Sequence, residues 1–139
     1  DLAAGGSVLG SGADTILVNG AAFDLRSTTL SGVNVLQATS ASATTITVDQ
    51  ADLADGGSVI GSTASDTLAG KGTTLDLTST TLSSIEIIKA GGSAATTITV
   101  DVADLVSKGS VIGSSGNDTL AGGLGNDIYV VADAGDVII

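Results

Sequence analysis

Three aspartates recur at nine-residue spacing near the end of the chain: Asp118, Asp127 and Asp136. They sit in GSSGNDTLA (113–121), GGLGNDIYV (122–130) and a degenerate copy, VADAGDVII (131–139). Two positions after each Asp comes an apolar residue, Leu120, Tyr129 or Ile138. Short carboxylates among glycines form a hard oxygen donor set on tight turns. Calcium takes six to eight such oxygens from carboxylates and backbone carbonyls. Glycine permits the positive φ that aims carbonyls inward, and strand alternation sends the apolar residue into a core. The pattern GGxGxDxUx is a calcium-binding β-helix repeat; the second nonapeptide meets every specified position and the first lacks only the second Gly. Asn, Asp and Gly also suit tight turns without metal. The turns at Asp14 (GSGAD) and Asp66 (GSTASD) depart from the full nonapeptide and read as metal-free.

Other chemistry is poorly served. Without Cys or His there is no disulfide, zinc site or Cys/His nucleophile. Glu86 is the only Glu and has no positioned partner carboxylate for acid–base work. Gly70-Lys71-Gly72-Thr73 lacks the spacing of a phosphate loop. Asn117-Asp118-Thr119 fits a glycosylation pattern but lies inside the metal motif. Lys108 and Ser110 read as surface residues, and Asp24, Asp49, Asp76, Asp101 and Asp104 as solvated turn or outward strand positions. Threonines at 44–47 and 96–99 suit strands and offer a hydroxyl face to ice or polysaccharide. Carbohydrate platforms usually carry aromatics, and Phe23 and Tyr129 are the only two here. No enzymatic activity is expected.

The elements that must position these turns follow from self-similarity. DLAAGGSVLG (1–10), DLADGGSVIG (52–61) and DLVSKGSVIG (104–113) are one segment repeated, and ATTITVDQADL (43–53) answers ATTITVDVADL (95–105). The 139 residues therefore form a single domain of tandem units of about 52 residues, at 1–51 and 52–103 with a partial third at 104–139. Alternation marks short strands at 15–18, 23–25, 33–38, 44–48 and 58–61, with equivalents in the second unit, separated by Gly/Ser/Asn/Asp turns. Two strands per coil give coils of roughly 17 to 18 residues, three per unit, in an all-β parallel β-solenoid or β-roll. VDQADLADG and VDVADLVSKG admit one helical turn each as an alternative. At 42% hydrophobic, mostly Val, Ile, Leu and Ala, the chain is too apolar for disorder and too poor in aromatics for a thick core. The net charge of −11 argues against nucleic acid, and no apolar run reaches the roughly 18 residues of a membrane span. No signal peptide is visible and the first residue is not Met, so a mature product or a piece of a longer protein is expected. The array has no obvious cap, so flanking protein or copies stacked end to end or laterally are expected partners.

The nonapeptides at 113–130, with the weaker copy to 139, resemble the RTX (repeats-in-toxin) family of type I-secreted bacterial proteins. The 52-residue units are similar, less specifically, to repeat blocks of large RTX adhesins and surface-layer proteins. The resemblance implies Ca2+ as the bound ion, an extracellular or cell-surface location, and sites between turns stacked two nonapeptides apart. Carried onto this sequence, it implies one site from Gly113, Gly116, Asn117, Asp118 and Asp136, and a half-site from Gly123, Gly125, Asn126 and Asp127. The function it implies is a secreted structural or adhesive solenoid within a surface layer, adhesin or filament, with cell-surface polysaccharide as a further partner. The alternative is a C-terminal, calcium-dependent folding and secretion module of a protease or lipase.

Overall fold

A computed structural model describes residues 5–101, 109–123 and 126–139. Among them the alternating Val/Ile/Leu and Thr/Ser pattern produces fourteen strands. They are β1 (Ser7–Val18), β2 (Ala22–Asp24), β3 (Thr29–Ala38), β4 (Thr45–Asp49), β5 (Ser58–Ile60), β6 (Thr67–Lys71) and β7 (Thr74–Asp76). After these come β8 (Thr81–Ser83), β9 (Ile87–Ala90), β10 (Thr97–Thr99), β11 (Ser110–Ile112), β12 (Thr119–Ala121), β13 (Ile128–Val130) and β14 (Val137–Ile138). The sheets run β1-β3-β5-β8, β14-β12-β10-β7 and β13-β11-β9-β6-β4-β2, and every pairing is parallel. The chain is a β-solenoid, and its six-stranded sheet takes one strand from each successive coil.

The expected coil of 17 to 18 residues holds only at the C-terminal end. Ala22, Thr45, Thr67, Ile87, Ser110 and Ile128 are successive register partners, in steps of 23, 22, 20, 23 and 18 residues. The longer coils have three sides: β6, β7 and β8 lie in three different sheets before β9 returns onto β6. From β11 onward the chain alternates between two sheets, and the nonapeptides make flat, two-sided coils of 18 residues. A 52-residue unit is therefore not three coils. Thr45 lies in the six-stranded sheet and its repeat equivalent Thr97 in the next one round; Val35 and Ile87 are displaced in the same way. One unit advances two coils and one side.

The core is thin and built in columns. Phe23, Ile46, Leu68, Ile88, Val111 and Tyr129 stack in register down the six-stranded sheet. The four aliphatics are at most 1% exposed, and each such burial contributes roughly 1.5–3 kcal/mol. The two aromatics of the chain occupy the first and last rungs of this column. Leu75, Ile98 and Leu120 form a second column.

Among the described residues the helical alternative is realised once. Gln50–Asp52 is a 3-10 turn with a capping box: Asp49 accepts from Ala51 N, and Asp52 accepts from Asp49 N, both at 2.9 Å. The Gln50 side chain then mimics a strand, donating to Asp76 O at 3.0 Å and accepting from Asp76 N at 2.7 Å. The second such stretch lies mostly at 102–108, outside the described residues, as do Asp104 and Lys108.

Ser84 is the one described non-glycine residue with positive φ, at 54°. Its equivalent in the first unit is Gly32, at 70°. Side chains pay a steric penalty there that glycine avoids. Ser84→Gly is expected to stabilise the fold by about 0.5–1 kcal/mol, read as a shift in urea midpoint at unchanged slope.

Candidate metal centre

The turn aspartates occupy equivalent places at the coil edges. Asp118 is 1% exposed. Its Oδ1 accepts from Thr96 N of the preceding coil at 2.7 Å, and its Oδ2 accepts from Ser114 N of its own turn. Asp66, also 1% exposed, repeats the arrangement with Thr44 N at 2.6 Å and with Ser62 N. Asp136 closes its turn through Ala132 N and Asp133 N at 3.0 and 3.2 Å, and its Oδ1 accepts from Asp118 N at 2.8 Å. These N–H donors, Asp118's first, hold the Asp136 carboxyl below the usual carboxylate range against the opposing effect of burial. Asp14 is exposed and accepts from Ser11 N at 2.5 Å.

Of the expected ligands, Gly113, Asp118 and Asp136 come together. A Cβ on Gly113 would stand 3.0 Å from Asp118 Oδ2 and 3.2 Å from Asp136 Oδ2, so two carboxylate oxygens converge over a position that a side chain would crowd. This cradle fits calcium in donor type. Each carboxylate oxygen offers two lone pairs: Asp118 Oδ2 spends one on Ser114 N, whereas Asp136 Oδ2 accepts from both Ala132 N and Asp133 N and would release one of them to an ion. Asn117 does not join the pair; its amide lies over Gly135 one coil on. Gly116 is needed for close approach, since a Cβ there would meet Ala95 N at 2.5 Å. Positive φ, expected of these glycines generally, appears among the described ligand candidates only at Gly123, at 79°.

The second half-site is differently furnished. Over Gly122 stand Asp127 Oδ2 and the Tyr129 hydroxyl, which accepts from Gly122 N at 2.8 Å. Asn126 and Gly123 are exposed beside it, and Gly125 lies outside the described residues. Among the described residues no three Asp or Glu side chains gather tightly enough to share an ion, so any site here draws on carbonyls as well as carboxylates.

Two acids take structural roles not assigned from the sequence. Glu86 Oε2 accepts from Asp66 N at 2.8 Å, the bond that Asp136 makes to Asp118 N one unit later. Its signal is spacing, 20 residues after Asp66 against 18 for the later pair, legible only once the coil length is known. Asp52 is 5% exposed in the capping box, and desolvation raises its pKa to about 6. The D-x-x-D pattern of a capping box marks it. Of the expected solvated acids, Asp24, Asp76 and Asp101 are exposed and Asp49 is half-buried. The threonine face exists as a column, Thr74, Thr97 and Thr119 in register. No helix among the described residues is long and apolar enough to cross a membrane. Compared with protein-family models, curated proteins and solved structures, the chain matches none.

Proposed function

We propose that this chain is a structural solenoid segment of an extracellular bacterial protein, a non-catalytic rod whose C-terminal turns are fastened by calcium. The observation that carries this reading is the convergence of Asp118 and Asp136 over Gly113 one 18-residue coil apart, which is the spacing the RTX resemblance implies. Gly113, Asp118 and Asp136, with turn carbonyls, would hold the ion. Calcium, when bound, supplies positive charge between two like-charged carboxylates. The remaining work is done by the chain itself. Asp66, Asp118 and Asp136 bind backbone N–H groups of neighbouring coils and so fix their register. The net charge of −11 opposes compaction until cations offset it.

Association with further solenoid is part of the same proposal. Leu9 and Leu17 on β1 are 76% and 63% exposed, and Val137, Ile138 and Ile139 are 52%, 49% and 78% exposed at the other end. Exposed aliphatics beside unpaired parallel edges favour contact with another solenoid surface.

The test is calcium titration into chelator-treated protein, with calorimetry for stoichiometry and thermal unfolding for stability. Saturable binding is expected, with stabilisation of about 2.7 kcal/mol at calcium a hundredfold above Kd. Gly113→Ala and Asp136→Asn are expected to abolish it. Absence of binding, or equal binding in both variants, refutes the calcium assignment. Sedimentation at rising concentration tests association, and a monomer throughout, with and without calcium, argues against it.

A further inference from the structure

We propose that the outer face of the six-stranded sheet binds a carboxylate-bearing sugar in the groove between Arg26 and Lys89. The first observation is local charge. The chain has four basic residues against fifteen acids. Three of the four, Arg26, Lys71 and Lys89, belong to one sheet or its margin: Lys71 ends β6, Lys89 lies in β9 and Arg26 follows β2. Like-charge repulsion acts over most of this acidic molecule, yet the Debye length is only about 8 Å at physiological salt. The nearest acids on this sheet are Asp24, paired to Arg26, and Asp49, the register partner of Lys71. Among the described residues the groove itself is lined by Arg26 and Lys89 and by no acid, so a small anion within it meets a local positive excess.

The second observation is shape. A groove of about 340 Å³ opens here, lined by Arg26 and Lys89 with the hydroxyl-bearing Thr45 and Thr47. Its floor is small: Ala69, an outward strand position only 2% exposed, and Gly91. Thr47, Ala69 and Lys89 are register partners on adjacent strands. At about 4.8 Å per strand, Thr47 and Lys89 stand roughly 10 Å apart across the alanine. That is the scale of a single sugar ring.

The third observation is donor supply. Arg26 binds Asp24 through Nε at 2.8 Å and through one terminal nitrogen. A guanidinium carries five N–H donors, so the same planar group keeps others for a second carboxylate. Lys89 makes no ion pair among the described residues. Two cations lining one groove, with threonine hydroxyls for sugar hydroxyls, match a sugar chain that carries carboxylates, a uronic acid oligomer. A second copy of the chain fits less well, because each copy carries −11. The groove is distinct from the Asp118/Asp136 turn, so this inference stands or falls independently of calcium.

The probe is trigalacturonate, titrated by calorimetry and amide NMR in chelator-containing buffer, against its carboxyl-reduced counterpart and sodium acetate. Trigalacturonate is expected to bind, to weaken as salt rises, and to perturb amides of β4, β6 and β9. Arg26→Gln and Lys89→Gln are each expected to weaken it by at least about fivefold. Both side chains lie outside the core, and circular dichroism confirms that the variants remain folded. No binding, undiminished binding in Lys89→Gln, or equal binding of the reduced trimer overturns the proposal. So does acetate that competes as well as the trimer, which would mark a mere anion site. Loss of self-association in the variants without sugar binding would assign the face to a second copy and overturn it too.

Discussion

Asp118→Ala will cost about 3–5 kcal/mol of stability even with calcium chelated, because it strips the acceptor from two buried N–H groups at once. Thr96 N and Ser114 N both end on this carboxylate, and both residues are buried. Each unsatisfied buried donor costs about 1–3 kcal/mol, and relief of repulsion from Asp136 offsets only part. Asp118→Asn keeps one acceptor oxygen and turns the other into a donor facing a donor, so it should fall between wild type and Ala. Asp76→Ala is the control. Asp76 is exposed, and its carboxylate accepts only from the backbone N–H and hydroxyl of Thr78 in its own surface turn; its loss should cost less than about 1 kcal/mol. Urea unfolding in chelator reads all three. If Asp118→Ala destabilises only when calcium is present, the carboxylate is a metal ligand first and a coil fastener second.

The second large effect belongs to Asp52 and depends on pH. Burial raises its pKa from 3.8 to about 6; the N–H of Asp49 acts in the opposite direction, and the charges of Asp49 and Asp24 push it further up. Beside it is a cavity large enough for about one water, lined also by Thr80, whose buried hydroxyl has no protein partner among the described residues. The folded state thus holds this proton more tightly than the unfolded chain does. Its contribution to stability is fully present below pH 3.8 and is lost as pH rises toward 6. The gap corresponds to at most about 3 kcal/mol. Asp24, held low chiefly by Arg26, and Asp76, held low chiefly by Thr78, act with the opposite sign and lose their contribution as pH falls below the carboxylate range. Stability should therefore decline between pH 4 and 6.5. In Asp52→Asn that slope should flatten, with a gain of about 1–3 kcal/mol at pH 7, since an amide still caps Asp49 N without burying charge. A wild-type profile that is flat across this range, or a variant less stable at pH 7, contradicts the assignment.

What sequence discloses here is local, and what it conceals is register. Alternation in TTITV and VNVLQA marks strands because inward and outward positions differ in polarity, and β4 and β3 form where that pattern stands. The 18-residue step from Asp118 to Asp136 is legible because two nonapeptides make one coil without insertions. The longer coils are not, because a third side is added by short segments such as TLD and TLS whose sheet assignment depends on what lies one coil away. Glycine was legible as a residue type but not in its role. Gly113 and Gly116 leave room for oxygen and backbone of another turn, a demand set by coils about twenty residues distant. The clustering of Arg26, Lys71 and Lys89 is hidden for the same reason. They lie far apart in sequence and meet only through a parallel ladder.

The advance of each unit by two coils and one side has a geometric consequence. Three sides must be traversed before a given residue faces the same direction again. In any array of this unit with three-sided coils, that takes three units, or seven coils. At about 4.8 Å per coil, equivalent surfaces come back into line about every 34 Å along the axis. Between these points the same residues look outward in two other directions. A rod of this kind shows every partner the same chemistry from all around. It engages several copies of a partner along one line only when their spacing is close to this repeat.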